Sequence, residues 1–173
     1  MDGSIRGYAS IFGVPDLGRD VVLPGAFADS LRRRGAAGVR MLWQHDPAEP
    51  LGAWLAIAED ARGLYVEGRL NLAVQRAREI DALVRTGAVD GLSIGFRPLL
   101  AAPGRAGLRT LRVVDLWEVS LVTFPLQPAA RVERSAEDAL AAEIRGLSRR
   151  IAGHRARNRP AGGAGRPRLA LRA

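Results

Sequence analysis

Short stretches in which apolar residues alternate with polar ones dominate the first 130 or so positions, and a helical period interrupts them at two places. Ser4 to Val14 is rich in β-branched and aromatic residues and runs into Pro15-Asp16-Leu17-Gly18, a turn-forming cluster, so it predicts a strand. Leu23 to Phe27 leads into Ala28–Arg34, where Phe27, Leu31 and the basic run predict a short helix closed by Gly35, its basic end matched to the helix dipole. Val39 to Gln44 alternates, with Val39, Met41 and Trp43 on one side, and places His45 at the strand's end in phase with Trp43. Leu51 to Ala58 and Leu64 to Leu70 predict a hairpin joined through the acidic turn Glu59 to Gly63.

From Ala73 to Thr86 the period changes. Ala73, Ala77, Ile80, Leu83 and Val84 fall three or four apart, and Gly87 follows as a C-cap, which predicts an amphipathic helix. Three further strands are expected at Gly91 to Leu99, Leu108 to Val114 and Trp117 to Phe124, divided by a Pro/Gly turn and by Asp115. A last helix is expected from Ser135 to Ile151, capped by the Ser135 hydroxyl and carrying Leu140, Ile144, Leu147 and Ile151 on one stripe. Beyond it the Arg/Gly/Pro/Ala-rich sequence reads as disordered. About seven strands with one or two core helices do not alternate as βαβ units. The expected class is therefore α+β, a curved and mainly antiparallel sheet or small β-barrel decorated by helices, with a C-terminal helix and a basic tail.

Charge sharpens this division. All 26 basic residues are arginine; residues 1–133 carry 16 of them against 15 acidic residues, while residues 134–173 carry 10 against 3. The near-neutral first part argues against a nucleic-acid-binding core, and leaves the tail only sequence-independent contact with phosphates or an acidic partner. The chain has no cysteine, which removes disulfides, thiolate metal sites and cysteine nucleophiles. No apolar stretch approaches the ~18 residues of a membrane span, and the first residues lack a basic start followed by an apolar run, so the expectation is a cytoplasmic protein without membrane association.

Few residues of the folded part can do chemistry. Gly91-Leu92-Ser93-Ile94-Gly95 has the G-x-S-x-G form of a hydrolase nucleophile elbow, but Ile94 to Pro98 is strand-like where that elbow needs a helix, and His154, the only later histidine, lies in the tail. An esterase of that type is excluded by residue order. Ser93 on this reading is either a nucleophile or a sheet serine whose hydroxyl bonds to backbone. His45 is the single histidine before the tail and hence the one ordinary proton acceptor near neutral pH, unless it merely fills a strand end. His45, Asp46 and Glu49 fit no strong metal-ligand spacing, so no metal and no cofactor are expected. One serine and one histidine suffice for a nucleophile and its base. An orienting carboxylate would come from Glu118, Asp90 or Asp115, or the pair works as a dyad; Glu118, opposite Trp117 and Val119 by alternation, equally suits a solvent-facing role.

Six blocks carry a resemblance to a known family: Gly7 to Gly13, Asp20 to Phe27, Met41-Leu42-Trp43-Gln44-His45-Asp46, Gly63 to Gly68, Asp90-Gly91-Leu92-Ser93-Ile94-Gly95-Phe96, and Leu116 to Pro125. In their order and spacing the chain resembles the tailed-phage prohead proteases, including the versions in phage-like gene transfer agents. The resemblance implies a protease domain over residues 1–133; beyond it the residue pattern gives an amphipathic helix over 134–151 and a disordered Arg/Gly/Pro-rich tail over 152–173. It implies a fold similar to herpesvirus assemblin and a serine endopeptidase with Ser93 as nucleophile and His45 as base. Such enzymes act inside the immature capsid in the bacterial host cell, cutting the major capsid protein extension or scaffold segment and commonly themselves. The assemblin relatives use a second histidine as third member; none is available here, so the orienting role stays open, with Glu118 the candidate because it lies in a matching block. Self-association is a further partner reading. The competing function is a noncatalytic capsid scaffold or assembly factor that kept the fold, with the basic tail as its working part.

Overall fold

A computed structural model describes residues 3–133. Eight strands and two α-helices follow in the order β1 (Ser4–Ile11), β2 (Asp20–Val22), α1 (Ala28–Arg34), β3 (Arg40–Trp43), β4 (Asp46–Glu59), β5 (Gly63–Leu70), α2 (Gln75–Thr86), β6 (Gly91–Pro103), β7 (Arg109–Val122) and β8 (Arg131–Val132). Strands β7, β3, β4, β5, β1, β8 and β6 pair in succession, and β6 pairs back onto β7, which closes a seven-stranded barrel. Closure gives each of the seven strands a neighbour on both sides, and every strand can turn one face inward. Ile5, Leu51, Trp54, Leu64, Val66, Leu92, Leu111, Val119 and Leu121 supply that buried core. The Trp54 indole N–H donates to the Val119 carbonyl at 3.2 Å, so even the largest core ring keeps its polar atom satisfied.

The expected α+β barrel is what forms, with differences at particular elements. Strand β7 is continuous where a break at Asp115 was expected. It pairs in parallel with β2 along its first part (Asp20↔Arg109 to Val22↔Leu111) and in parallel with β3 along its second (Arg40↔Glu118 to Trp43↔Leu121), while β6 runs antiparallel to nearly its whole length. A charged residue can sit buried at the changeover because its partners are supplied there: Arg34 and the Trp117 indole both donate to the Asp115 carboxylate. Strand β4 begins at Asp46, five residues before the expected start. The short strands β2 and β8 had no alternation long enough to reveal them.

Both helices of the folded part appear where the periodicity put them. Gly87 ends α2 in the left-handed region at φ 77° and donates to Leu83 and Val84, as a C-cap glycine does. Ala77 and Ile80 are buried, whereas Leu83 of the same expected stripe is 40% exposed. Among the described residues no helix is long and apolar enough to cross a membrane. The expected helix Ser135 to Ile151 and the tail beyond it lie outside the described residues.

Candidate active site

Ser93, Gly95, Glu118 and Ser120 make a four-cornered patch on the β6–β7 ladder, in which Ser93 lies opposite Ser120 and Gly95 opposite Glu118. Directly opposed residues share a face, as do residues two apart on one strand. The alternate residues Leu92, Val119 and Leu121 belong to the core, so the four corners look outward. Ser93 is nonetheless only 6% exposed, because a turn from the neighbouring strand lies over the patch.

That turn is Gln44-His45. Trp43 pairs with Asp46, leaving these two residues as the whole loop of the β3–β4 hairpin. Both have positive φ, 53° for Gln44 and 63° for His45, as a type I′ hairpin turn requires. Asn-Gly is the usual occupant; for side chains like these the left-handed region costs about 1–2 kcal/mol each. The turn is tied to β7 at two points: the Gln44 amide donates to the Leu121 carbonyl at 2.9 Å, and Gln44 Nε2 donates to Thr123 Oγ1 at 2.7 Å. His45 therefore does not continue the β3 alternation, in contrast to the expected phase with Trp43. The positive φ turns it out of the strand and back over β7.

In this position the imidazole bridges the two strands below it. His45 Nε2 is 2.9 Å from Ser93 Oγ and Nδ1 is 2.9 Å from Glu118 Oε1. A carboxylate only accepts, so Nδ1 carries the proton toward Glu118, and the ring in its neutral form presents a bare Nε2 to the serine hydroxyl. Glu118 Oε2 accepts in turn from Ser120 Oγ at 2.5 Å. The chain thus runs Ser93, His45, Glu118, Ser120 without a gap, and its two inner members are half-exposed and largely covered respectively, at 40% and 15% of the side chain.

The structure brings together three of the residues singled out in the sequence and separates the other two. Asp90 pairs with Arg131 at 2.5 Å, and Asp115 pairs with Arg34 at 2.9 Å. Their carboxylates are occupied elsewhere. Ser93 has strand on both sides, so the G-x-S-x-G match is no nucleophile elbow, as its flanking residues indicated. Sequence reasoning missed Gln44 and Ser120; a Gln-His pair is no turn signal, and a serine within an apolar strand announces no partner.

A serine hydroxyl, an imidazole and a carboxylate hydrogen-bonded in that order are the groups that a serine hydrolase uses. The chain belongs to the caudovirus prohead serine proteases, whose family model matches residues 1–143. It is 36% identical over 135 residues to the prohead protease of Enterobacteria phage HK97, covering 75% of this chain and 59% of that protein. It is also 31% identical over 126 residues to the capsid polyprotein of Pseudomonas phage PAJU2, covering 68% of this chain and 18% of the polyprotein. The chain therefore spans less than two thirds of the length of either relative. Among solved structures it is similar to the bacteriophage T4 capsid assembly protease, with a TM-score of 0.56 at 13% identity over 72% of this chain and 90% of that one. The KSHV protease bound to a hexapeptide phosphonate inhibitor gives a TM-score of 0.52 at 12% identity, over 87% and 76%. These two likenesses bear out the assemblin-like fold.

Proposed function

We propose that the chain is a serine endopeptidase of capsid maturation, with Ser93 as nucleophile, His45 as general base and Glu118 as the group that orients His45. The observation that carries this reading is the continuous hydrogen-bonded path from Ser93 Oγ through the imidazole to Glu118. His45 Nε2 takes the hydroxyl proton as Ser93 Oγ attacks the scissile carbonyl, and the charge that appears on the ring is met at Nδ1 by the carboxylate. The proton then passes to the leaving amine, whose C–N bond breaks to leave an acyl-enzyme. Water, deprotonated by the same nitrogen, hydrolyses that ester and returns Ser93 to its starting state.

The substrate we propose is the major capsid protein extension or scaffold segment enclosed with the protease in the immature shell, with self-cleavage accompanying it. Family membership and the likeness to a capsid polyprotein support this choice. The ten arginines against three acids in residues 134–173 suit a segment that carries the protease into the assembling particle by binding an acidic scaffold. Deleting those residues then removes the protease from isolated proheads, while unchanged co-assembly overturns the targeting role.

Co-expression with the major capsid protein of the same particle, followed by intact-mass measurement of both chains, tests the activity. The wild type is expected to shorten the capsid protein, and Ser93→Ala and His45→Ala each to leave it at full length. The double variant costs little more than either single one, because nucleophile and base act as a unit. Identical uncut masses from all forms in assembled shells would instead favour a scaffold that no longer cuts.

A further inference from the structure

Glu118 can reach His45 only because the corner of the patch beside it is empty. Gly95 is its direct partner across the β6–β7 ladder, where two ordinary β-carbons would stand about 4.5–5.5 Å apart. The Glu118 side chain does not stand up from the strand. It lies across into the space over Gly95: a β-carbon at position 95 would be 2.7 Å from Glu118 Cδ and closer still to its Oε1 and Cγ. Gly95 has no left-handed φ, so its backbone is one that any residue could adopt. Space alone selects glycine there. The neighbouring corner closes the other side, because Ser120, fully buried, donates its hydroxyl to Glu118 Oε2 at 2.5 Å.

From these contacts we infer that Gly95 and Ser120 are positioning residues that form a seat for the Glu118 carboxylate, Gly95 by vacancy and Ser120 by hydrogen bond. The inference rests on the serine-protease reading and adds to it the reason that a glutamate can serve as third member. Of the four corners, one presents the nucleophile, one the carboxylate, one the hydroxyl that holds the carboxylate, and one nothing. With Oε2 held by Ser120, the free lone pairs of Oε1 are turned to His45 Nδ1. The second glycine of the G-x-S-x-G pattern acquires a role here unrelated to an elbow: it serves the carboxylate on the facing strand.

The seat acts through Glu118, which makes it testable by a cycle. Gly95→Ala and Ser120→Ala are prepared in the full chain, each alone and together with Glu118→Ala, and the rate of capsid-protein cleavage is followed against pH. Displacing the carboxylate by an ångström or so is expected to lower kcat/KM about 100-fold in Gly95→Ala. Loss of one hydrogen bond to the carboxylate is expected to lower it about tenfold in Ser120→Ala. Both are expected to move the acid limb of the kcat/KM profile in the direction that Glu118→Ala moves it. In the Glu118→Ala background neither change costs more than about twofold, since paired groups that act as a unit are not additive.

Full activity in Gly95→Ala, or losses that persist undiminished when Glu118 is already alanine, would overturn the seat. Ser120→Ala removes one buried oxygen and adds no atom, so it decides the matter even if the bulkier alanine at 95 unfolds the barrel. Ser93→Ala run in parallel separates the two levels of inference. If it still cuts, the protease reading itself fails; if it is inactive while the cycle shows additivity, only the seat fails.

Discussion

Asp115 and Glu118 lie three residues apart on β7, and their surroundings could hardly be more different. Asp115 is 6% exposed and crowded by permanent cations: Arg34 contributes three contacts of 2.9–3.2 Å, and Arg33 and Arg97 stand at 3.4 and 3.9 Å. The Trp117 indole adds a donor at 2.8 Å. The Arg34 hydrogen bonds first, then that of Trp117, hold the Asp115 carboxyl well below the usual carboxylate range. Among the described residues Glu118 meets a neutral hydroxyl and an imidazole, with no arginine in hydrogen-bond reach. A carboxylate already paired with fixed positive charge gains little when another charge forms nearby. One whose partners carry no fixed charge gains most if a proton reaches the imidazole beside it. The strand thus carries one carboxylate locked among fixed positive charges and one whose partners carry no fixed charge.

Exchanging the carboxylate for an amide breaks this contrast most severely. In Glu118→Gln the new NH2 can donate to Nδ1, which forces the proton onto Nε2 and leaves no acceptor for Ser93. Cleavage is expected to fall about 1,000-fold or more with the barrel intact by circular dichroism. A smaller effect belongs to Gln44, whose side chain ties the strained turn to Thr123. Gln44→Ala is expected to lower kcat about tenfold, with KM nearly unchanged, because it loosens where His45 sits and not how substrate binds.

Asp115→Asn is the complementary change and is expected to leave the cleavage rate as it was. Its effect is on stability in acid. Because the folded-state carboxyl is depressed, the unfolded chain takes up the proton first as pH falls. The stabilisation is complete above the ordinary aspartate value of about 3.9 and is lost as pH drops toward the lower folded value. Denaturant titrations at a series of pH values are therefore expected to show a wild-type acid decline below about pH 4 that flattens in Asp115→Asn. An equal decline in both would assign the acid sensitivity to other carboxylates.

The same two residues show what the sequence could and could not tell. Asp115 reads as a break because a charge within an apolar run usually ends a strand; Arg34, which hydrogen-bonds it there, comes from α1, 81 positions away. Alternation correctly set Glu118 opposite the core residue Val119, although Trp117 on that same side is 49% exposed, and it could not say that the outer face would be roofed by the Gln44-His45 turn. Helix periods, glycine caps and the longer strands were legible because each is decided within a dozen neighbouring residues. Strands β2 and β8, of three and two residues, exist only through their pairing partners. For the site, His45 stands out as the single histidine before the tail and Ser93 by its G-x-S-x-G frame, whereas Gly95 and Ser120 acquire meaning only when β6 and β7 are laid side by side.

The central claim is that His45, oriented by Glu118, makes Ser93 a nucleophile. Mass mapping after treatment with a fluorophosphonate, which forms a stable ester only with an activated serine, tests it most directly. The account predicts a single adduct on Ser93 in the wild type, formed far more slowly in Glu118→Gln and absent in His45→Ala; labelling of Ser93 at equal rates in all three, or of no serine at all in a chain that cuts its capsid protein, would contradict it.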